Sequence, residues 1–87
     1  MYKIRPYHLK QAHSLGVEIK PSSTKFYKLD VFKDGKYLTS IGDRRYLDYQ
    51  LYMEIDPELA ERKRDLYWKR HAKDNGIRGI MAREILW

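Results

Sequence analysis

The dipeptide Asp34-Gly35 sits between two runs that alternate apolar and polar residues, and it constrains the fold more than any other feature of the chain. A two-residue β-hairpin turn of the favoured twist needs positive φ at both central positions, which Gly adopts freely and Asp tolerates. The run 25–33 therefore pairs with the run 36–41. In the two-residue register Val31 faces Leu38 and Phe32 faces Tyr37. Tyr27, Leu29, Val31 and Leu38 then share one face, and the other is mixed, with Phe32, Tyr37 and Ile41 among charges. The run 16–20 alternates in the same way and reads as a further strand, ended by Pro21-Ser22-Ser23.

Helical signals follow the hairpin. Asp43 is placed to cap a short helix over 44–53. Asp56-Pro57-Glu58 is a second start, with a capping side chain, a proline that loses nothing at the first helical position, and an acid suited to the positive helix end. This helix should run to about Lys73, with Leu59, Leu66, Tyr67 and Arg70 on one side and Lys63 completing the stripe. Glu58 with Arg62 and Asp65 with Lys69 are i,i+4 pairs of the favourable sense, about 0.2–0.5 kcal/mol each. Asn75-Gly76 is a stop signal, and a last helix over 79–86 turns Ile80, Met81, Ile85 and Trp87 inward. Residues 1–15 show no clean period and read as a basic N-terminal arm, irregular or loosely extended, with a short strand at 2–4. Strands first and helices after them indicate an α+β fold. The expectation is one domain over 16–87, a small antiparallel sheet of about three strands packed against two or three helices.

The chain has 87 residues, which allows one small core. Its longest apolar runs are three residues, too short for a transmembrane helix. No charged-then-apolar leader opens the chain, so export by a classical signal and a membrane partner are not expected. Cysteine is absent, which removes disulfides and Cys-based zinc sites. The net charge of +6 divides unevenly: +5 over 1–42, −2 over 43–56 and +3 over 57–87. Such an excess points to acidic partners, namely nucleic acid, an anionic membrane surface or an acidic protein. Eight Tyr, two Trp and two Phe are interleaved with the cations, which suits base stacking beside phosphate contacts. The same rings equally serve as edge-of-core residues, ring inward and hydroxyl outward.

Catalytic signals are thin. His8 and His13 are five apart, off the i,i+4 spacing that aligns two ligands on a helix. His71 stands alone, the acids are scattered, and no serine lies in a nucleophile elbow. Lys33-Asp34-Gly35-Lys36 is a hairpin turn and lacks the glycines of a phosphate loop. The chain therefore reads as non-enzymatic, with no catalytic residue, metal or cofactor assigned. Its best constellation is Arg62-Lys63-Arg64 followed by Tyr67-Trp68-Lys69-Arg70-His71. At 100° per residue Lys63, Tyr67 and Arg70 share one side and Arg64, Trp68 and His71 an adjacent one. Lys28, Arg62, Arg64, Lys69 and Arg70 would supply charge to a nucleic acid, Tyr67 or Trp68 would stack, and His71 completes the face. Few base-reading groups are present, so binding to DNA or RNA should be weakly sequence-specific and salt-dependent. The opposing reading is a solvated helix face with Trp68 packed on the sheet.

Five pieces in this order resemble a small uncharacterised protein family of large DNA viruses and tailed phages. They are the run 17–31, Asp34-Gly35-Lys36, Gly42-Asp43-Arg44-Arg45-Tyr46, Lys63-Arg64-x-x-Tyr67-x-x-Arg70-His71, and the ending Arg83-Glu84-Ile85-Leu86-Trp87. The resemblance covers about residues 16–87. The chain departs from the pattern at Ile41, where the family favours Phe, and around Ala60, where a His-x-Asp is replaced. The resemblance implies a viral or phage origin, with residence in the host cytoplasm or nucleoid or in the virion, and it implies no activity. It leaves two roles for the Arg, Tyr, Arg and His set: a ligand site, or an internal lock that fixes the helix on the sheet. Two further readings stand beside nucleic-acid binding. One is a virion structural or cement protein docked on a capsid or tail protein. The other is a host-directed inhibitor of an acidic protein surface.

Overall fold

A computed structural model describes residues 2–87. Asp34 and Gly35 have φ of 52° and 79°, as the turn requires, and they join β2 (Tyr27–Lys33) to β3 (Lys36–Asp43). A third strand, β1 (Glu18–Pro21), pairs antiparallel with the other side of β2, giving the order β1-β2-β3. The expected α+β fold and three-stranded antiparallel sheet are both present.

The hairpin register departs from the simple one. Phe32 faces Tyr37 as expected, but Val31 faces Thr39 instead of Leu38. One extra residue bulges out of β3 here, and every side chain beyond it changes face. That moves Ile41 from the mixed face to the core, opposite Leu29. Leu38 is left half-buried at the rim of the core. Leu29, Val31 and Ile41 are fully buried, with Ile19 and Val17 beside them.

Residues 2–15 are not an irregular arm, and no strand forms at 2–4; Met1 lies outside the described residues. Pro6–Ser14 is a helix, α1. Proline stands at its first position, and the Nδ1 of His8 accepts the backbone N–H of Arg5 at 3.1 Å. This is the return half of a capping box, with histidine in the place of the usual Glu or Gln. At the other end Gly16 adopts φ 71°, its N–H donates to His13 O, and the N–H of Val17 donates to Ala12 O. Those two bonds make a Schellman stop. Gly16 therefore ends a helix and does not begin a strand. Ala12 is 2% exposed and belongs to the core, so the domain begins within the first residues and not at 16.

The second helix, α2 (Tyr49–Ile55), is capped by Asp48 and not by Asp43. Asp43 instead bonds the backbone and guanidinium of Arg45 in a tight turn, which leaves 44–47 non-helical. Asp56 caps α3 (Pro57–Arg70) as expected, accepting from the N–H groups of Glu58 and Leu59. Ala60, not Leu66, is the buried residue of α3; Leu66 is 54% exposed. Neither expected i,i+4 pair of α3 forms among the described residues. The last helix, α4, is α-helical over Ile77–Met81 and π-helical over Ala82–Leu86. The wider π turn brings Leu86 inward beside Ile85, both essentially unexposed, where an α period places Ile85 alone. None of the helices is long and apolar enough to cross a membrane among the described residues.

Gly42 has φ 80°, and a Cβ there would lie 2.6 Å from Leu86 Cδ1 and 3.0 Å from Lys28 Cδ. Both neighbours are buried and held. Gly42→Ala is therefore expected to cost about 3 kcal/mol in urea denaturation, from a left-handed backbone (about 1–2) and overpacking (about 1–3). Gly35→Ala, with nothing within 4 Å of its added methyl, should cost only the backbone part, about 1–2 kcal/mol.

Candidate nucleic-acid interface

The residues singled out by sequence separate into three groups. Lys28 is nearly buried at the floor of the groove described below: its side chain is 4% exposed and its Nζ pairs with Asp48 Oδ2 at 3.0 Å. It alternates with the core residue Leu29, at a point of β2 that the N-terminal segment and α2 close over. Its ammonium is committed to Asp48 and not to a phosphate, contrary to the expectation from sequence.

Arg64, Tyr67, Trp68 and His71 form the second group, half-buried and engaged with the fold. The Arg64 guanidinium lies 4.8 Å from the centre of the Tyr49 ring, and Tyr49 in turn donates to Glu61. Trp68 stacks with neither a free face nor Arg64. Arg83 of α4 sits 5.3 Å over its ring, and Arg83 Nη1 donates to His71 O and Asp74 O. A cation from α4 thus satisfies carbonyls left open at the C-terminal end of α3. Tyr67 stacks on Trp87 at 4.5 Å with an interplanar angle of 8°, and its ring also meets His71 at 4.3 Å. His71 Nδ1 contacts Asp74 Oδ2 at 2.6 Å.

Arg62, Lys69 and Arg70 are the third group. All three are exposed and none forms an ion pair among the described residues. Lys63 and Lys73 are exposed in the same way, Lys63 with its Nζ 5.9 Å from the Tyr52 ring centre.

A groove of about 1060 Å³ lies between the end of the sheet, α2, α3 and α4. Lys63, Leu66, Tyr67 and Arg70 form its α3 wall, Trp87 and Tyr52 add rings, and Arg78 stands on the far side near Tyr27. Arg78 lies 5.0 Å over the Tyr27 ring and donates to Ser40 O. Two acids border the groove, Asp43 and Asp74. Asp43 is bonded to Arg45, whose hydrogen bonds hold its carboxyl down at about 2, and Asp74 is bonded to His71. Asp43 is thus paired with a cation, and Lys63, Arg70, Lys73 and Arg78 outnumber the acids that border the groove. Sequence reasoning missed Trp87, Arg78 and Lys73 because they reach α3 only through the turn at 71–76 and the π segment.

A second constellation is largely buried. Asp48 accepts from Lys28 Nζ, from the Tyr2 hydroxyl and from the Leu51 N–H. His8 Nδ1 is occupied as an acceptor, so Nε2 carries the ring proton and faces the Tyr2 oxygen at 3.4 Å and Asp48 Oδ1 at 3.9 Å. Burial raises the Tyr2 hydroxyl, with Asp48 adding to it, and burial lowers His8. Four chemically capable groups meet here, but His8 and Asp48 are 0% and 1% exposed and admit no substrate. Their work is to hold four segments together. No group of three His, Cys, Asp or Glu suited to a metal ion occurs among the described residues.

Comparison of the chain with protein-family models, with curated proteins and with solved structures finds no match in any of the three.

Two outcomes follow from the buried cluster. Asp48→Ala strands Lys28 as an uncompensated buried charge, and urea denaturation should show a loss of about 3–5 kcal/mol. Lys28→Met in the Asp48→Ala background should recover part of it. His8 titrates below its ordinary value of 6.5 in the folded state, so the unfolded chain binds a proton first as pH falls. The His8 contribution is whole above about pH 6.5 and declines as pH falls below it. A melting temperature that drops from pH 7.5 to pH 5.5, with a shallower drop in His8→Phe, is the expected result.

Proposed function

We propose that this protein is a small non-enzymatic viral or phage protein that binds nucleic acid, DNA or RNA, with weak sequence specificity. One observation carries the reading. The same groove holds a Trp87–Tyr67–His71 ring stack and three cations, Lys63, Arg70 and Lys73, that no carboxylate neutralises among the described residues. Cations take phosphates and rings take bases, whatever the base.

The chemistry divides between the groove and its rim. Tyr67 is covered by Trp87 and His71, so a base adds to the end of the stack and does not insert beside Tyr67. Arg62 and Lys69, exposed on α3, extend the phosphate track beyond the groove. Among the described residues the amide and carboxylate groups lining the groove are Asn75, Asp43 and Asp74, and both acids are already hydrogen-bonded within the fold, which supports a sequence-tolerant mode. The viral or phage assignment rests on the order of the five sequence pieces alone.

The test is fluorescence anisotropy with labelled oligonucleotides across a salt series. Three to five phosphate contacts give a slope of log K against log salt of about −2 to −4 on single strands. Arg70→Ala and Lys73→Ala, both on the surface, should each make the slope shallower by about 0.7 and weaken binding at fixed salt about equally on all sequences. A slope near zero, or affinity no greater than that of a simple polycation of equal charge, overturns the proposal.

A further inference from the structure

A second, smaller cleft of about 380 Å³ adjoins the groove. Lys25, Phe26, Arg44 and Arg45 line it, and it shares Tyr27 and Asp43 with the groove. Phe26 is 67% exposed, a large apolar ring left on the surface with no core role. Lys25 Nζ stands 5.6 Å from its centre, so the ring carries a cation beside it. Arg44 is exposed and forms no ion pair among the described residues. The Phe26 carbonyl accepts the N–H of Arg44 at 3.2 Å, which fixes the two residues side by side.

The ridge between the clefts does not repel a polyanion. Its one acid, Asp43, is held by Arg45 at 2.7 Å, and its ring, Tyr27, lies under Arg78. From end to end the order is ring and cations (Phe26, Lys25, Arg44), capped ridge (Tyr27 with Arg78), then cations and rings again (Arg70, Trp87). Rings and cations thus occur in both clefts, the two kinds of group that bases and phosphates of a strand require.

We infer that the two clefts form one continuous track for a single-stranded nucleic acid, with Phe26 as a second base platform and Arg44 as a phosphate contact. This rests on the nucleic-acid reading of the groove and adds the form of the ligand, its minimum length and two residues. Both clefts are concave, whereas reading a duplex requires an element that projects into its grooves. A strand long enough to occupy both has roughly four nucleotides or more, the lower end of single-domain strand binders.

The experiment measures affinities for labelled oligothymidylates and oligouridylates of three, five, eight and twelve nucleotides, and for a twelve-base-pair duplex, at one salt concentration. Affinity should rise about tenfold or more between three and eight nucleotides and then level off, and the duplex should bind more weakly than the twelve-nucleotide strand. Phe26→Ala and Arg44→Ala, checked for folding by their melting temperatures, should each cut that length-dependent gain about threefold or more. The deoxy and ribo series identify which strand chemistry is used. Affinity that is flat beyond three nucleotides, a gain unchanged in both variants, or a duplex bound as tightly as the strand overturns the track and leaves the groove reading standing. Failure of every oligonucleotide to bind overturns both.

Discussion

The Asp48 carboxylate is the constraint on which the rest of the structure depends. It caps α2, takes the Lys28 ammonium from β2 and takes the Tyr2 hydroxyl from the N-terminal segment, with His8 of α1 packed against both. An ion stripped of water costs several kcal/mol, and only a complete set of partners offsets that. A partly satisfied network of this kind is worse than an apolar one, so its members form together or not at all. In a chain of 87 residues with a small core, this ties segments that are 46 positions apart in sequence.

The network also decides where charge is allowed to appear. Lys28 is spent internally on Asp48, Arg5 is answered by Glu54, and Arg45 by Asp43. Arg64, Arg78 and Arg83 lie over Tyr49, Tyr27 and Trp68 and serve the packing of helix against helix and helix against sheet. The exposed cations without such engagement include Arg62, Lys69, Arg70 and Lys73 on and just after α3 and Arg44 at the turn beyond β3, while Lys3, Lys10, Lys33 and Lys36 lie on the N-terminal segment, α1 and the hairpin turn.

The sheet, the hairpin turn, the Asp56 cap and the α+β order were legible because each follows from a local rule: turn chemistry, period two, or a cap before a proline. What escaped was either a signal outvoted locally or one that exists only in three dimensions. Pro6 with His8 two residues on, and Gly16 after an i,i+4 pair of His8 and Ala12, are a helix start and stop, but Tyr, Lys and His blur the period between them. Asp43 and Asp48 are equally good caps on paper; the tight turn to Arg45 and the buried pairing with Lys28 choose Asp48. The bulge in β3 left no mark in the sequence, and it alone exchanges Leu38 for Ile41 in the core. Of the eight residues expected at the interface, Arg62, Lys69 and Arg70 are exposed. Lys28 is buried instead, and a lysine on a strand gives no sign of whether an acid 20 residues later will fold over it.

The α3 residues were open to two readings, ligand face or internal lock, and the geometry engages only some of them in a lock. Arg64 and Trp68 belong to the lock, while Arg62, Lys69 and Arg70 take no part in it. Tyr67 stacks on Trp87, which holds α4 against α3, and the same ring forms part of the wall of the groove. A ligand that adds a base to this stack favours the same closed arrangement that the stack itself stabilises. Binding and the α3–α4 packing are then linked, and occupancy of the groove must raise the stability of the fold by mass action. The link runs both ways. Removing Tyr67 or Trp87 weakens fold and binding together and separates nothing, whereas the surface cations move only the electrostatic part. The division of labour within one helix therefore settles which residues can report on ligand binding without also reporting on the fold.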